Sequence, residues 1–191
     1  MRSKKIYSSI IVIVALILVF CGNVSATLLD GKTINYQYYY PNLSSPYSNA
    51  GNGNYVVGPG VEITNIANGS LGYHYGTIDI SDSNIYVAFH ESSTWIASSF
   101  NGFEITDALG TIADFTSVSI NPVTNMGLDS SRITFDSDHI WVNWQGFNFS
   151  EGVIVSLDIT GGNTSVPEPT TMLLLGFGLV GLAGARRKFK K

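Results

Sequence analysis

The chain has 191 residues, of which 45% are hydrophobic and 13% are charged. This length and composition fit one folded domain with flanking segments, and they exclude a solvated, disordered polymer. The charge is unevenly distributed, because eight of the ten basic residues lie before residue 6 or after residue 185. Residues 27–165 hold two basic and thirteen acidic residues, which gives them a formal charge of −11. Nucleic acid and anionic lipid are therefore excluded as partners of this segment, since both are bound through Lys and Arg.

The first 26 residues have the three parts of a secretory signal peptide. Three basic residues among the first five precede an unbroken apolar run over residues 10–20. Small residues at positions 24–26 predict cleavage after Ala26. An uncleaved membrane anchor is the alternative, and the shortness of the apolar run disfavours it. Cys21 is the only cysteine of the chain, so the exported form is predicted to have no disulfide and no Cys-ligated metal.

Residues 27–160 are predicted to form one extracytoplasmic domain made of β-strands. Short stretches rich in Val, Ile, Thr and aromatic residues recur along it, separated by Gly, Pro, Asn and Asp. The predicted strands span residues 33–40, 61–67, 71–80, 84–90, 102–106, 115–120, 131–135, 139–145 and 153–159. We expect an all-β fold, an antiparallel β-sandwich for which a jelly roll is one candidate topology, flanked by an N-terminal signal helix and a C-terminal transmembrane helix.

Two Asn-Gly pairs give the strongest turn signals of this domain. Asn68-Gly69 and Asn101-Gly102 each predict a tight β-hairpin, because both residue types tolerate the positive φ that such turns require. Asn52-Gly53 and Gly58-Pro59-Gly60 predict loops.

Aromatic residues are the first candidates for binding. Tyr36, Tyr38 and Tyr40 alternate and so share one face of a predicted strand, where exposed rings would stack on sugars and buried rings would fill the core. Trp141 and Trp144 lie three residues apart, which places them on opposite faces of a regular strand. We expect whichever faces inward to be a core residue.

Residues suited to catalysis lack the spacings that catalysis needs. His74, His90 and His139 fit no metal-binding pattern such as HExxH, and no GxSxG motif is present. His90 and Glu91 are neighbours in a predicted strand, so their side chains would point to opposite faces. We therefore predict no catalytic residues, no metal ligands and no enzymatic activity.

Two groups of acidic residues are candidate ligands for calcium. Residues 79–82 and 136–138 each contain two Asp and one Ser, and such oxygen atoms are ligands for this hard cation. The alternative is turn chemistry, since Asp and Ser are common between strands. No other cofactor is predicted.

The C-terminal segment has three distinct parts after the spacer predicted at residues 161–166. Pro167, Glu168 and Pro169 come first and form a stiff, extended peptide. An apolar stretch at residues 170–185 follows, and a helix over its sixteen residues would span roughly 24 Å, enough to cross a membrane when flanking basic side chains snorkel. The basic end begins with Arg186, Arg187 and Lys188, which favour the cytoplasm.

This tail, residues 167–191, resembles the PEP-CTERM sorting signal that exosortases process. The resemblance implies that residues 167–169 determine processing and that residues 186–188 stop translocation. Residues 100–159 also resemble a domain found upstream of the tail in many PEP-CTERM proteins, a resemblance that implies no activity. The family context implies an exosortase as partner, a membrane-anchored precursor, and a final place at the cell surface or in the extracellular matrix of bacteria that make exopolysaccharide.

The sequence therefore favours a non-enzymatic structural or adhesive protein of the envelope or biofilm. A carbohydrate-binding module for exopolysaccharide is the first alternative, and a secreted hydrolase is the second.

Overall fold

The computed structural model of the chain describes residues 27–67, 74–162 and 176–178. The chain divides into two compact units: Thr27–Asn163 is one, and Met1–Ala26 together with Thr164–Lys191 is the other.

Most of the predicted targeting features lie outside the described residues. These are the signal peptide with its cleavage site at Ala26, the processing residues 167–169, and the basic residues 186–188. Of the predicted membrane helix, residues 176–178 are described, and they are helical. Among the described parts of the chain, no helix is long and apolar enough to cross a membrane.

Strands dominate the described part of the domain, and the predicted all-β, antiparallel class is confirmed. Residues 27–67 and 74–162 contain no α-helix, and their one 3₁₀ turn covers Ser130–Arg132. The strands are β1 (Thr33–Tyr39), β2 (Gly53–Val56), β3 (Val61–Ile63), β4 (Gly76–Ser81), β5 (Asn84–Phe89), β6 (Ser93–Thr94), β7 (Gly102–Asp107), β8 (Phe115–Ile120), β9 (Ile133–Phe135), β10 (His139–Asn143), β11 (Asn148–Phe149) and β12 (Ile154–Gly161).

The strands assemble into two five-stranded sheets and one short ribbon. Sheet 1 has the order β2-β1-β7-β10-β9, sheet 2 has the order β3-β4-β5-β12-β8, and β6 pairs with β11. Adjacent strands pair antiparallel throughout. The hairpins β1-β2, β4-β5 and β9-β10 each stay within one sheet, whereas most consecutive strands of a jelly roll lie in opposite sheets. The jelly-roll topology is therefore wrong for this domain.

Both sheets contribute their apolar faces to one core. The alternation along β1 buries Ile34, Tyr36 and Tyr38 and leaves the residues between them partly exposed, as expected for a half-buried strand. Trp144, fully buried after β10, has its ring centroid 5.3 Å from that of Phe103 in sheet 1 and 5.8 Å from that of Phe89 in sheet 2. The two sheets thus meet across this indole, which is the two-layer arrangement of a β-sandwich.

The hairpin predicted at Asn101-Gly102 is wrong, because both residues lie inside the fold. Asn101 is buried: its Oδ1 accepts a hydrogen bond from the Tyr38 hydroxyl at 2.9 Å, and its Nδ2 donates to the Ile96 carbonyl at 3.0 Å. Gly102 begins β7 between β1 and β10, and a Cβ there would collide with the carbonyl oxygen of Val142. Close packing requires the glycine at position 102, and a buried polar network requires the asparagine at position 101, so the pair forms no turn.

Smaller differences concern the ends of elements. The strands β2, β6 and β11 were not predicted, because each is short and β2 begins with Gly53, which predicted a loop. Gly161 is the last residue of β12, although it was predicted to begin the spacer. Asn68-Gly69 lies outside the described residues.

Candidate binding face

The outward side of sheet 1 gathers polar and aromatic side chains from three adjacent strands. Side chains alternate along a strand, so the residues between the core positions of β1, β7 and β10 point away from the core. We call this surface, extended by Thr134 of the neighbouring strand β9, the outer face of sheet 1, and it comprises Asn35, Gln37, Tyr39, Glu104, Thr106, Thr134, His139, Trp141 and Asn143.

Strand register places four of these outward residues in one line across the sheet. Gln37 pairs with Glu104, and Glu104 pairs with Trp141. Trp141 in turn pairs with Thr134 of β9. Three strand spacings make this central row roughly 14 Å long. The row runs from an amide through a carboxylate and an indole to a hydroxyl.

Trp141 is partly exposed and is supported by a neighbouring imidazole. The ring of His139, two residues earlier on the same face, stacks on the indole with centroids 5.0 Å apart and planes only 9° apart. His139 Nδ1 lies 2.9 Å from Asp136 Oδ1, and this same oxygen accepts the backbone N–H groups of Asp138 and His139 at 2.8 Å each. The β9-β10 turn therefore fixes the imidazole, and the imidazole limits the orientations of the indole.

The same contacts set the charge of the turn. The hydrogen bond from the Asp138 N–H, followed by the bond to the His139 side chain, lowers the pKa of Asp136 below its ordinary value. Asp136 is therefore ionised at neutral pH and available as an acceptor.

Tyr39 and Glu104 form a second fixed pair on the outer face. Tyr39 lies opposite Gly102, and its hydroxyl donates to Glu104 Oε2 at 2.8 Å. Burial is the largest cause that raises the pKa of Tyr39 to about 12, and the hydrogen bond to Glu104 and the repulsion between the two negative charges add to it. Tyr39 therefore stays neutral and donates to Glu104. This hydrogen bond orients the Glu104 carboxylate, which lies next to Trp141 in the central row.

Of the two roles left open for the alternating tyrosines, the structure shows the core role for Tyr36 and Tyr38 and rules out a sugar-stacking face made of all three. Tyr36 and Tyr38 are buried in the core, where the Tyr36 hydroxyl donates to the Ile66 carbonyl at 2.9 Å. Tyr40 is partly exposed beyond the end of β1, and its ring meets Tyr47 edge-on.

The prediction for the two tryptophans is confirmed, since Trp144 is buried and Trp141 belongs to the outer face. No pattern in the sequence places Gln37, Glu104 and Thr134 beside Trp141, because only strand register brings these residues together.

The predicted acidic groups act in turns and loops. Asp82, in the β4-β5 turn, accepts the backbone N–H groups of Leu28 and Leu29 through one carboxylate oxygen. Asp136 holds the β9-β10 turn as described above. Over residues 27–67 and 74–162, no three His, Cys, Asp or Glu side chains form a ligand group for a metal ion. Calcium binding stays a prediction.

An open depression beside β4 brings two carboxylates to one place. It has a volume of about 550 Å³ and is lined by Asp30, Asp79 and Ser81 together with the glycine-proline loop 58–60. Nearby Glu62 holds this loop, since its two oxygens accept the N–H groups of Gly58 and Ile80.

The three histidines occupy different surroundings. His74 is exposed, and exposed His90 has its Nε2 3.1 Å from the hydroxyl of Thr77 in β4. His139 contacts the Asp136 carboxylate, in the turn that supports Trp141.

Comparison with known proteins bears on the tail. A family model described as the PEP-CTERM protein-sorting motif matches residues 165–188. The chain carries a PEP-CTERM sorting motif. The protein is accordingly sorted by an exosortase to the cell surface, from a precursor anchored in the membrane at its C-terminal end. The matched residues include Pro167, Glu168 and Pro169, and the predicted resemblance over residues 100–159 lies outside the match. Neither the curated proteins nor the solved structures gave a match.

Proposed function

We propose that this PEP-CTERM protein is a non-enzymatic structural or adhesive component of the cell surface or the biofilm matrix. In this proposal a signal peptide over residues 1–26 exports the chain. A membrane helix over residues 170–185 then holds the precursor, with its basic end in the cytoplasm, until the exosortase acts on residues 167–169. The sorting motif is the basis for the location, and the domain is the basis for the role.

The hydrogen bonds of the acidic residues are the observation that supports a structural role. Five acidic residues on separate elements each accept backbone N–H groups, and so they hold loops and turns in place: Glu62, Asp82, Asp107, Asp129 and Asp136. A carboxylate that accepts backbone hydrogen bonds holds the surrounding loop or turn in one conformation. This is what a rigid extracellular scaffold requires, whereas a catalytic acid or base must exchange protons with a substrate.

Deletion of the gene in its own bacterium tests the structural role. We expect a weaker or thinner biofilm at unchanged growth rate, restored by the full chain. A matched control variant, with Pro167, Glu168 and Pro169 all replaced by Ala, should not restore it, because it would not reach the surface. Normal biofilm strength in the deletion strain would contradict the proposed role.

The hydrolase alternative is favoured by one observation, the two carboxylates of the depression beside β4. Glycoside hydrolysis needs a pair of carboxyl groups across a cleft. The purified chain should nevertheless release no product from chromogenic glycosides or esters. Turnover that disappears in both Asp30→Asn and Asp79→Asn, with melting temperatures unchanged, would replace the structural proposal with an enzymatic one.

A further inference from the structure

We propose that the outer face of sheet 1 binds a neutral polysaccharide, with Trp141 as the stacking platform and Glu104 and Gln37 as hydrogen-bonding partners of the sugar hydroxyls. This inference deepens the proposed function and rests on it, because it names the partner that an adhesive surface protein would hold.

The position of Trp141 is the first argument. The residue lies on β10, which is flanked by β7 and β9 and is not an edge strand. Its cross-strand neighbours on the outer face, Glu104 and Thr134, are polar. A partly exposed indole between polar neighbours offers an apolar ring beside hydrogen-bonding groups, which is the combination that a sugar requires. The apolar C–H face of a sugar ring is a suitable cover.

The fixed geometry of the row is the second argument. The His139 ring lies parallel to the indole, and the Tyr39 hydroxyl holds the Glu104 carboxylate. Groups that are already ordered lose little entropy on binding. A carboxylate accepts several hydrogen bonds, so Glu104 can pair with sugar hydroxyl groups as well as with Tyr39. Gln37 donates through Nε2 to the Tyr38 carbonyl at 3.1 Å, and its amide oxygen can accept from a hydroxyl group. The length of the row suits an extended chain of sugars better than a single ring.

The negative charge of the domain favours a neutral polysaccharide over an anionic one. Residues 27–165 carry a formal charge of −11, and the outer face contributes Glu104 next to Trp141. Arg132, one of the two basic residues of this segment, donates to the Gln145 carbonyl at 3.1 Å and lies over the Phe147 ring. Repulsion therefore opposes a uronic-acid polymer or any other polyanion. A neutral glycan meets no such barrier.

The test measures binding of the full chain, purified in mild detergent, to soluble neutral glucans, mannans and xylans in affinity gels. Alginate, a polyanion, is the charge control. We expect retardation by at least one neutral glycan and none by alginate. Trp141→Ala should weaken that binding by about tenfold or more, since it removes the apolar surface on which the sugar ring stacks. Glu104→Gln should weaken it less. Tyr86→Ala, which removes an exposed aromatic ring from sheet 2, is the matched control and should bind as the unchanged chain does.

Fluorescence gives a second readout that needs no variant. Trp95 and Trp144 are buried, so quenching by acrylamide reports mainly on Trp141. The bound glycan should reduce this quenching. Absence of binding to every neutral glycan, equal binding of alginate, or full binding by Trp141→Ala would overturn the proposal, and so would capture of a protein in place of a glycan. If glycans fail to bind while the tagged chain still reaches the surface, this inference alone fails; if the chain is not sorted, the proposed function fails.

Discussion

In residues 165–188 the sorting function lies in consecutive positions. In the β domain, by contrast, the central row of the outer face is assembled from residues up to 104 positions apart, Gln37 and Trp141. The difference lies in what recognises each region. A processing enzyme binds an extended peptide, so adjacent residues suffice. A sheet face exists only after strands pair, so its chemistry depends on register and on the core beneath it. Changes in the tail should therefore alter location alone, and changes in the domain should alter stability or binding alone.

The largest expected effect is the loss of processing in a variant of the tail, with the β domain unchanged. Replacing Pro167, Glu168 and Pro169 by Ala should abolish processing if the proposed role of these residues holds, because the variant loses the proline-flanked acidic residue and keeps the apolar stretch. A C-terminal tag should remain on this variant and fractionate with the membrane. The unchanged chain should lose its tag and move outward, in a host with an exosortase.

The melting temperature of the domain should be the same in both proteins. Equal tag retention in the two would show that residues 167–169 are not the processing determinant.

The next effect separates the two sides of sheet 1. Trp144→Ala should lower the free energy of unfolding by about 3–5 kcal/mol, because it leaves a cavity between Phe89 and Phe103. Trp141→Ala, three residues away on the outer face, should cost about 1 kcal/mol or less. Urea unfolding followed by circular dichroism measures both. Equal losses would mean that Trp141 is a structural residue, and the outer face would then lose its main candidate for binding.

The tail and the β domain also differ in how much of each could be predicted from the sequence. The sorting motif could be predicted because its signal is local, and the family match at residues 165–188 confirms it. The all-β class and the opposite faces of Trp141 and Trp144 followed from alternation. The partners of Trp141 could not be predicted, since periodicity gives the face of a residue but not the strand beside it. Asn101-Gly102 misled for a related reason, because an Asn-Gly pair also suits a buried polar network.

A third effect comes from the buried tyrosines and is smaller. Burial raises the pKa values of Tyr36 and Tyr38 well above the ordinary value of 10.0. Above pH 10 the unfolded chain loses these protons while the folded chain keeps them, so the stability is complete below pH 10 and falls as the pH rises. Each buried tyrosine contributes a slope of up to about 1.4 kcal/mol per pH unit. Thermal melts at several pH values above 10 measure the sum.

Tyr36→Phe is the variant that isolates one of these contributions. At neutral pH it should cost about 1–2 kcal/mol, because the Ile66 carbonyl loses its donor inside the core. Above pH 10 the variant should lose stability less steeply than the unchanged chain. Parallel pH profiles for the two proteins would contradict the assignment of the alkaline loss to Tyr36.

The smallest effect tests the pair that orients the central row. In the unchanged chain Tyr39 should ionise at about pH 12, and Glu104→Gln should lower this pKa, because a neutral amide repels the phenolate less than a carboxylate does and accepts a weaker hydrogen bond from the phenol. The pKa should remain above 10, since burial is the largest cause of the shift and is unchanged. The ring-carbon NMR signal of Tyr39, assigned with Tyr39→Phe, follows the ionisation between pH 10 and pH 12, and the Tyr40 signal is the internal control. If Glu104→Gln left the titration of Tyr39 unmoved, Glu104 would not be held by Tyr39 in solution, and the carboxylate beside Trp141 would be free to rotate.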